Sequence, residues 1–427
     1  MANVYQSMTT EELDGAIAEL EQRADEVRAK GLSLDMARGK PSPEQVALSK
    51  PMFDTLTSET PLEDGGAIVA NYGSPDGLPS ARQLAAEILG VDAENVIVNG
   101  SSSLNLMYDL VANGYIHGIG GNEPWCRQGE VKFLCPSPGY DRHFAVTASF
   151  GITNVPVPMG PDGPDMEVVR ELVESDPQVK GIWCVPKYAN PTGVTYSDEV
   201  VRAFAALKPA APDFRIFWDN AYVVHAFGDT DDELLNIFAA LEEAGADNLV
   251  YEFGSTAKVT FPGSGIAFVT AGDADMAEIR KAFSIERVSC EKFSQLMHAR
   301  FLRDLEGVQE HMAKHAEVVR PRFELVERKL TEGLGGLDIA TWTHPHGGYF
   351  VSFEGPEGSA KAIVALMKEL GVVMTGAGAT WPYGNDPRDT NIRIAPTYPS
   401  LEELGAALDV FVIAVKLVAA RLERARR

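Results

Sequence analysis

The chain opens on helical spacing. Leu13, Ile17, Leu20, Ala24 and Val27 recur three or four positions apart; Thr9 and Glu12 stand where a capping box would start a helix, and Gly31 where the helix would stop. Residues 34–45 (LDMARGKPSPEQ) are rich in Pro and Gly and predict irregular backbone. From about residue 80 the pattern changes to short apolar runs: NVIV (95–98), VKFLC (131–135), GIWCV (181–185), RIFW (215–218), LVYEF (249–253) and IAFVT (266–270). Helix-like stretches, such as 197–207 and 231–244, separate several of them. The runs are apolar throughout rather than alternating, which predicts strands buried on both faces, as in a mostly parallel α/β sheet. Ligands of such sheets gather at the loops after the carboxyl ends of the strands. A long helical stretch near 300–333 then leads to HPHGGYFVSF (344–353), a helix near 359–370 and a closing amphipathic helix from about Leu401. This last region predicts a smaller α+β domain. The expected division is a large domain over 66–315 and a small domain over 316–427, joined by the N-terminal segment 1–65.

Composition narrows the class. A chain of 427 residues exceeds one hydrophobic core, and 45% apolar with 23% charged residues is ordinary for a soluble globular protein. No apolar run reaches the roughly 18 residues of a spanning helix. The start, MANVYQSMTTEELDG, lacks the basic and apolar regions of a secretory signal. Cys126, Cys135, Cys184 and Cys290 are far apart, with neither a disulfide framework nor metal spacing. A cytoplasmic setting is the expectation. The net charge of −24 repels nucleic acid and anionic membranes, so an anionic small molecule would be held by a few placed cations inside a pocket.

The residues following the apolar runs carry the chemistry. After GIWCVP come Lys187, Tyr188, Ala189, Asn190, Pro191, Thr192 and Gly193; after RIFW come Asp219, Asn220, Ala221 and Tyr222. After LVYEF come Gly254, Ser255, Thr256, Ala257 and Lys258, and after NVIV come Asn99, Gly100, Ser101, Ser102 and Ser103, opening a helix. Singly each has a bland reading. N-P-T-G is often a plain turn, an Asp after a strand often a helix cap, and a loop Lys usually a solvated charge.

Their order is more specific. Asn-Pro-x-Gly, then Asp-x-x-Tyr, then Ser-x-x-Lys, then Arg393 in Asn391-Ile392-Arg393-Ile394-Ala395, resembles the class I aminotransferases of pyridoxal 5′-phosphate (PLP) fold type I, from about Asp35 to the C-terminus. Within them the sequence is similar to a divergent subgroup of bacterial aspartate aminotransferases. The resemblance implies a large domain with a mostly parallel seven-stranded sheet, a smaller α+β domain and PLP as cofactor. It implies Lys258 as the lysine of the internal aldimine, which moves a proton when substrate displaces it; such a lysine needs its amine neutral part of the time, which burial promotes. It makes Asp219 the partner of the ring nitrogen, and gives Asn190 and Tyr222 to the ring's phenolic oxygen. Tyr140, in Pro136-Ser137-Pro138-Gly139-Tyr140, matches the aromatic that stacks on the ring. Ser101, Ser102 and Ser255 match phosphate ligands, the first two at a helix N-terminus where free N–H groups and the dipole favour an anion; Ser103 lies one position further on. Tyr72, in Asn71-Tyr72-Gly73, matches the tyrosine that reaches the neighbouring subunit's phosphate, which implies a homodimer with shared sites. Arg393 matches the ligand of the substrate α-carboxylate, aided by Asn190, and Gly39 the loop that covers the substrate.

One departure stands out. The family places an Arg in a P-G-x-R pattern after the lysine to pair with the phosphate, whereas this chain reads Pro262-Gly263-Ser264-Gly265. Arg38, Lys40 and Lys187 are the candidate replacements. His143, His225, His344 and His346 lack metal-ligand spacing and are read as satisfied loop or core residues, with no metal expected. The activity implied is amino transfer between an L-amino acid, aspartate by the subgroup resemblance, and a 2-oxo acid, 2-oxoglutarate. The alternatives are a transaminase for alanine or aromatic substrates, a PLP lyase or decarboxylase, and a non-catalytic aminotransferase-like sensor.

Overall fold

The computed structural model describes residues 3–228 and 230–427. From one edge, the central sheet runs Val96–Val98, Ala267–Ala271, Val250–Ser255, Arg215–Asp219, Val179–Cys184, Lys132–Ser137, Thr153–Gly160 and the two-residue Gly163–Pro164. Neighbours from Val250–Ser255 to Thr153–Gly160 are parallel, while Ala267–Ala271 is antiparallel to both of its neighbours. Seven strands carry the sheet, and Gly163–Pro164 extends one edge as a short antiparallel eighth.

The apolar runs form these strands because both faces are covered. Phe133, Trp183, Phe217, Phe253 and Val269 pack on one side with Leu106, Leu110, Met276 and Phe283 from helices Ser103–His117 and Asp273–Glu286. Leu134, Ile182, Ile216 and Val250 face the other side, against Val169, Val201, Phe204 and Leu241 from three further helices. Each such side chain contributes about 1.5–3 kcal/mol on burial. Thr153–Gly160 is absent from the apolar runs because its burial is intermittent and it carries Pro156 and Pro158, as suits the sheet's periphery.

The helices follow their caps. Thr9 and Glu12 form the expected capping box on Thr10–Ala29, and Ser400 with Glu403 form another on Leu401–Ala425. The stretch 231–244 is helical only over Ile237–Ala244. Asn236 caps it, and the preceding Asp231 and Asp232 are engaged by Lys187, Tyr188 and Thr195 instead. The long stretch near 300–333 is two helices, Phe293–Leu302 and Leu305–Leu334, broken where Arg303 adopts φ +68° and Asp304 caps the second.

A separate hydrophobic cluster joins the first helix (Leu13, Leu20, Ala24, Val27) to the last (Leu404, Phe411, Val415) and to Phe353 and Ile363. Leu34–Asp35 also pairs in parallel with Val372–Val373. The Leu305–Leu334 helix spans both regions, with Val308 and Met312 in a cluster against the sheet and Val319 to Leu334 in the cluster of the first and last helices.

Candidate active site

The strand Val250–Ser255 ends in a tight turn. The N–H groups of Val259 and Thr260 both donate to the Thr256 carbonyl at 2.9 Å, and Ile266 N–H donates to Thr256 Oγ1 at 2.9 Å. This turn presents Lys258, whose Nζ lies 4.7 Å from the centre of the Tyr222 ring. Gly265 runs directly beneath it: a Cβ there would lie 2.9 Å from the Ala257 nitrogen and 3.0 Å from its Cα. The turn backbone therefore leaves no room for a side chain at the position where the family carries its arginine. Arg38, Lys40 and Lys187 are each engaged elsewhere. Arg38 pairs with Asp35 at 2.9 Å, Lys40 lies 3.9 Å from the Tyr398 ring, and Lys187 holds Asp231 at 2.8 Å and the Val223 carbonyl at 3.0 Å.

Asp219 ends the neighbouring strand. Its Oδ2 lies 2.9 Å from His143 Nε2; a carboxylate only accepts, so Nε2 carries the hydrogen. His143 is 1% exposed, stacks on Trp183 at 4.6 Å and meets Tyr140 edge-on at 4.9 Å. Asp219 Oδ1 is buried without a partner. A buried carboxylate oxygen wants a donor, and a protonated ring nitrogen would supply one. His143 is buried, as read from the sequence, but it is tied to a site residue, which no pairwise spacing signals. Of the other histidines, His225 is buried and its desolvated ring is pushed down to about 3, while His344 and His346 are exposed and pair with Glu327 and Asp232.

Tyr222 is buried, which raises its phenol above the ordinary 10, with Asp219 adding to the rise; Tyr140 is raised mainly by burial as well. Arg393 sits on Asn391–Ile394, beside Ser352 of Val351–Glu354. Its Nη1 donates to Asn190 Oδ1 at 3.2 Å and Asp141 Oδ1 at 3.1 Å, and its Nη2 to Thr375 Oγ1 at 3.3 Å. The guanidinium lies 4.8 Å from the Phe350 ring, and a Cβ on Gly39 would fall 2.1 Å from Cζ of that ring. Gly39, Phe350 and Arg393 are thus one stack, and Asp141, Thr375 and Phe350 are neighbours the sequence did not single out.

Ser101 and Ser102 precede the helix Ser103–His117, and Ser102 makes no side-chain cap bond. Gly100 has φ +71° with open space around it. Ala267 N–H donates to the Gly100 carbonyl at 3.0 Å and Ala267 pairs with Ser255, so the serine loop and Ser255 meet at one strand end. An anion could be held there by hydroxyls and helix N–H groups. Tyr72 stands apart, 79% exposed, on a loop held by Lys292 and by Ser289, whose hydroxyl donates to the Gly73 carbonyl at 3.0 Å.

The fold and this strand-end site define an aminotransferase of PLP fold type I, a class that uses PLP and acts on amino acids and 2-oxo acids. The chain belongs to the aspartate amino-transferase family, whose sequence profile matches residues 8–427. It is 47% identical to a Mycolicibacterium smegmatis protein named "putative aminotransferase", covering 92% of each chain. It is 41% identical to an aspartate aminotransferase of Corynebacterium glutamicum, covering 94% of this chain and 93% of that one. A crystal structure of an aspartate transaminase from Corynebacterium glutamicum superposes with a TM-score of 0.96 at 39% identity, covering 99% of each chain.

Proposed function

We propose that this aminotransferase exchanges the amino group of L-aspartate with 2-oxoglutarate, with PLP held on Lys258. The observation that carries the reading is Asp219: one oxygen bonded by His143, the other buried and awaiting a donor. When bound, the cofactor supplies an electron sink for the bond broken at the substrate Cα. Asp219 would keep a hydrogen on the ring nitrogen, with His143 holding the carboxylate in place. Tyr140 would cover the ring face, while Asn190 and Tyr222 bond its phenolic oxygen. Ser101, Ser102 and Ser255 would bind the phosphate together with the helix N–H groups, since Gly265 leaves no place for an arginine. Arg393, aided by Asn190, would hold the α-carboxylate, and Gly39 would admit the covering loop close to it. Lys258 Nζ would take the proton from the substrate Cα and return it to the acceptor carbon. The relative in Corynebacterium glutamicum supports aspartate as the amino donor.

The same reading groups 1–65 with 316–427 around a large domain of 66–315, in the cytoplasm. It makes the active form a homodimer in which Tyr72 completes the partner's site. Tyr72, Ile285 and Val288 are 79%, 82% and 75% exposed, and the Ser289–Gly73 contact brings their segments together, as an interface would require.

Lys258→Ala is expected to abolish both the visible absorbance of the cofactor-loaded protein and turnover of aspartate with 2-oxoglutarate. Retained turnover would remove Lys258 from its role. Arg393→Leu should raise the KM for amino acid and oxo acid alike, by the 10²-fold or more typical of a lost charge-assisted pair, with the cofactor still bound. An unchanged KM would exclude Arg393 from substrate capture.

A further inference from the structure

Beneath Lys258 lies a buried chain of polar side chains that the chemistry above does not use. Lys258 and Val259 sit in a turn, so their carbonyls need donors from elsewhere. The Tyr349 hydroxyl donates to the Lys258 carbonyl at 3.3 Å. His311 Nε2 lies 2.9 Å from the Val259 carbonyl, and His315 Nε2 lies 3.2 Å from His311 Nε2. Gln45 links the two arms, its Nε2 standing 3.1 Å from the Tyr349 hydroxyl and 3.1 Å from His315 Nδ1. Its Oε1 accepts the Ser42 N–H at 3.0 Å, which fixes the direction of the amide. Ser49 Oγ closes the cluster at 3.2 Å from His311 Nε2.

The hydrogen inventory of this cluster is tight. Gln45 has two N–H groups, one for Tyr349 and one for His315 Nδ1, so the His315 hydrogen is on Nε2. That hydrogen points into the space shared with His311 Nε2 and the Val259 carbonyl. A cationic His311 would set its Nε2–H against this hydrogen, and a cationic His315 would set an Nδ1–H against the Gln45 N–H, so both rings work neutral. Burial acts in the same direction, pushing His315 down to about 3 and His311 below its ordinary value. Gln45, Tyr349, His311 and His315 are each at most 5% exposed.

They come from the helix Pro43–Leu48, the residues just before Val351–Glu354, and the helix Leu305–Leu334. Three segments outside the sheet therefore converge on the backbone of one lysine. We propose that Tyr349, together with Gln45 and the His311–His315 pair, positions Lys258 by fixing the carbonyls of residues 258 and 259. The inference rests on the reading of Lys258 as the cofactor-bearing lysine. A lysine whose amine must serve two partners in turn needs a fixed origin for its arc, and this cluster supplies it through the backbone carbonyls.

The test uses the cofactor-loaded enzyme and the variants Tyr349→Phe, His315→Leu and their double. The readouts are the pH titration of the visible absorbance, the KM–kcat split, and thermal unfolding as a control for folding. Tyr349→Phe is expected to move the titration midpoint by about half a pH unit, about three-fold in the protonation equilibrium. It should lower kcat by roughly three- to ten-fold, the size of one lost hydrogen bond, with KM for aspartate nearly unchanged. Because Gln45 joins the two arms, the effects in the double variant should be less than additive. A midpoint and kcat unmoved in whichever single variant folds would overturn the proposal, as would fully additive effects in the double. A wild-type protein without a visible, pH-dependent band would overturn the Lys258 reading itself, and the proposal with it.

Discussion

Glu252 accepts a hydrogen bond from Asn220 Nδ2 at 2.9 Å, and its other oxygen is buried without a partner. Burial raises its carboxyl from the ordinary 4.5 to about 8. A carboxyl raised in the folded state contributes stability that is fully present below pH 4.5 and is lost as pH rises through about 8. Glu252→Gln keeps the amide-facing shape without the charge. It should therefore be more stable than the wild type at pH 9 by on the order of a few kcal/mol, with the difference shrinking towards pH 5. Urea midpoints at pH 5, 7 and 9 measure this; a pH-independent difference would mean that Glu252 does not titrate in that window. Asp219 and Lys258 could be singled out from sequence because their neighbours in the chain make a pattern. His143, Asp141 and Thr375 could not, because they act on Asp219 and Arg393 across 76, 252 and 18 positions of sequence.

The lysine turn shows what an element decides. Its geometry excludes a side chain at Gly265, so the missing arginine and the closeness of the turn to that strand are one fact. Gly265→Ala should displace the turn and destabilise the protein by about 1–3 kcal/mol, as overpacking does. It should also speed loss of the cofactor on dialysis, followed by absorbance. Cofactor retention and stability equal to wild type would show that the turn yields freely. Element type was legible wherever caps and apolar runs agreed, as at Thr10–Ala29 and Leu401–Ala425. It was misread at 231–236, where helical spacing lost to aspartates engaged by Lys187, Tyr188 and Thr195. The break at Arg303 was likewise hidden within a continuous amphipathic pattern.

At the scale of the molecule, the shared-site reading makes a demand that no single chain meets. If Tyr72 serves the partner, mixing a Lys258→Ala chain with a Tyr72→Ala chain under refolding should restore activity neither parent has. Random pairing in a two-fold dimer would give one intact site in half of the dimers, about a quarter of wild-type turnover. No gain above the parents' average would place Tyr72 outside the partner's site. The antiparallel course of Ala267–Ala271 belongs to this scale too. An apolar run reports burial on both faces, and burial is the same in either direction.

The sequence by itself determined which apolar runs are buried, where the capped first and last helices begin, and which residues follow those runs, because each depends on chain-local spacing and hydrophobicity. It also determined the family, since ordered motifs survive as patterns. Strand direction, the His143 hold on Asp219, the exclusion of a side chain at Gly265 and the Tyr349–Gln45–His315 chain under Lys258 were decided only by tertiary structure. They depend on distances between segments remote in sequence, and hydrogen bonds and steric contacts act over distance in space, not along the chain.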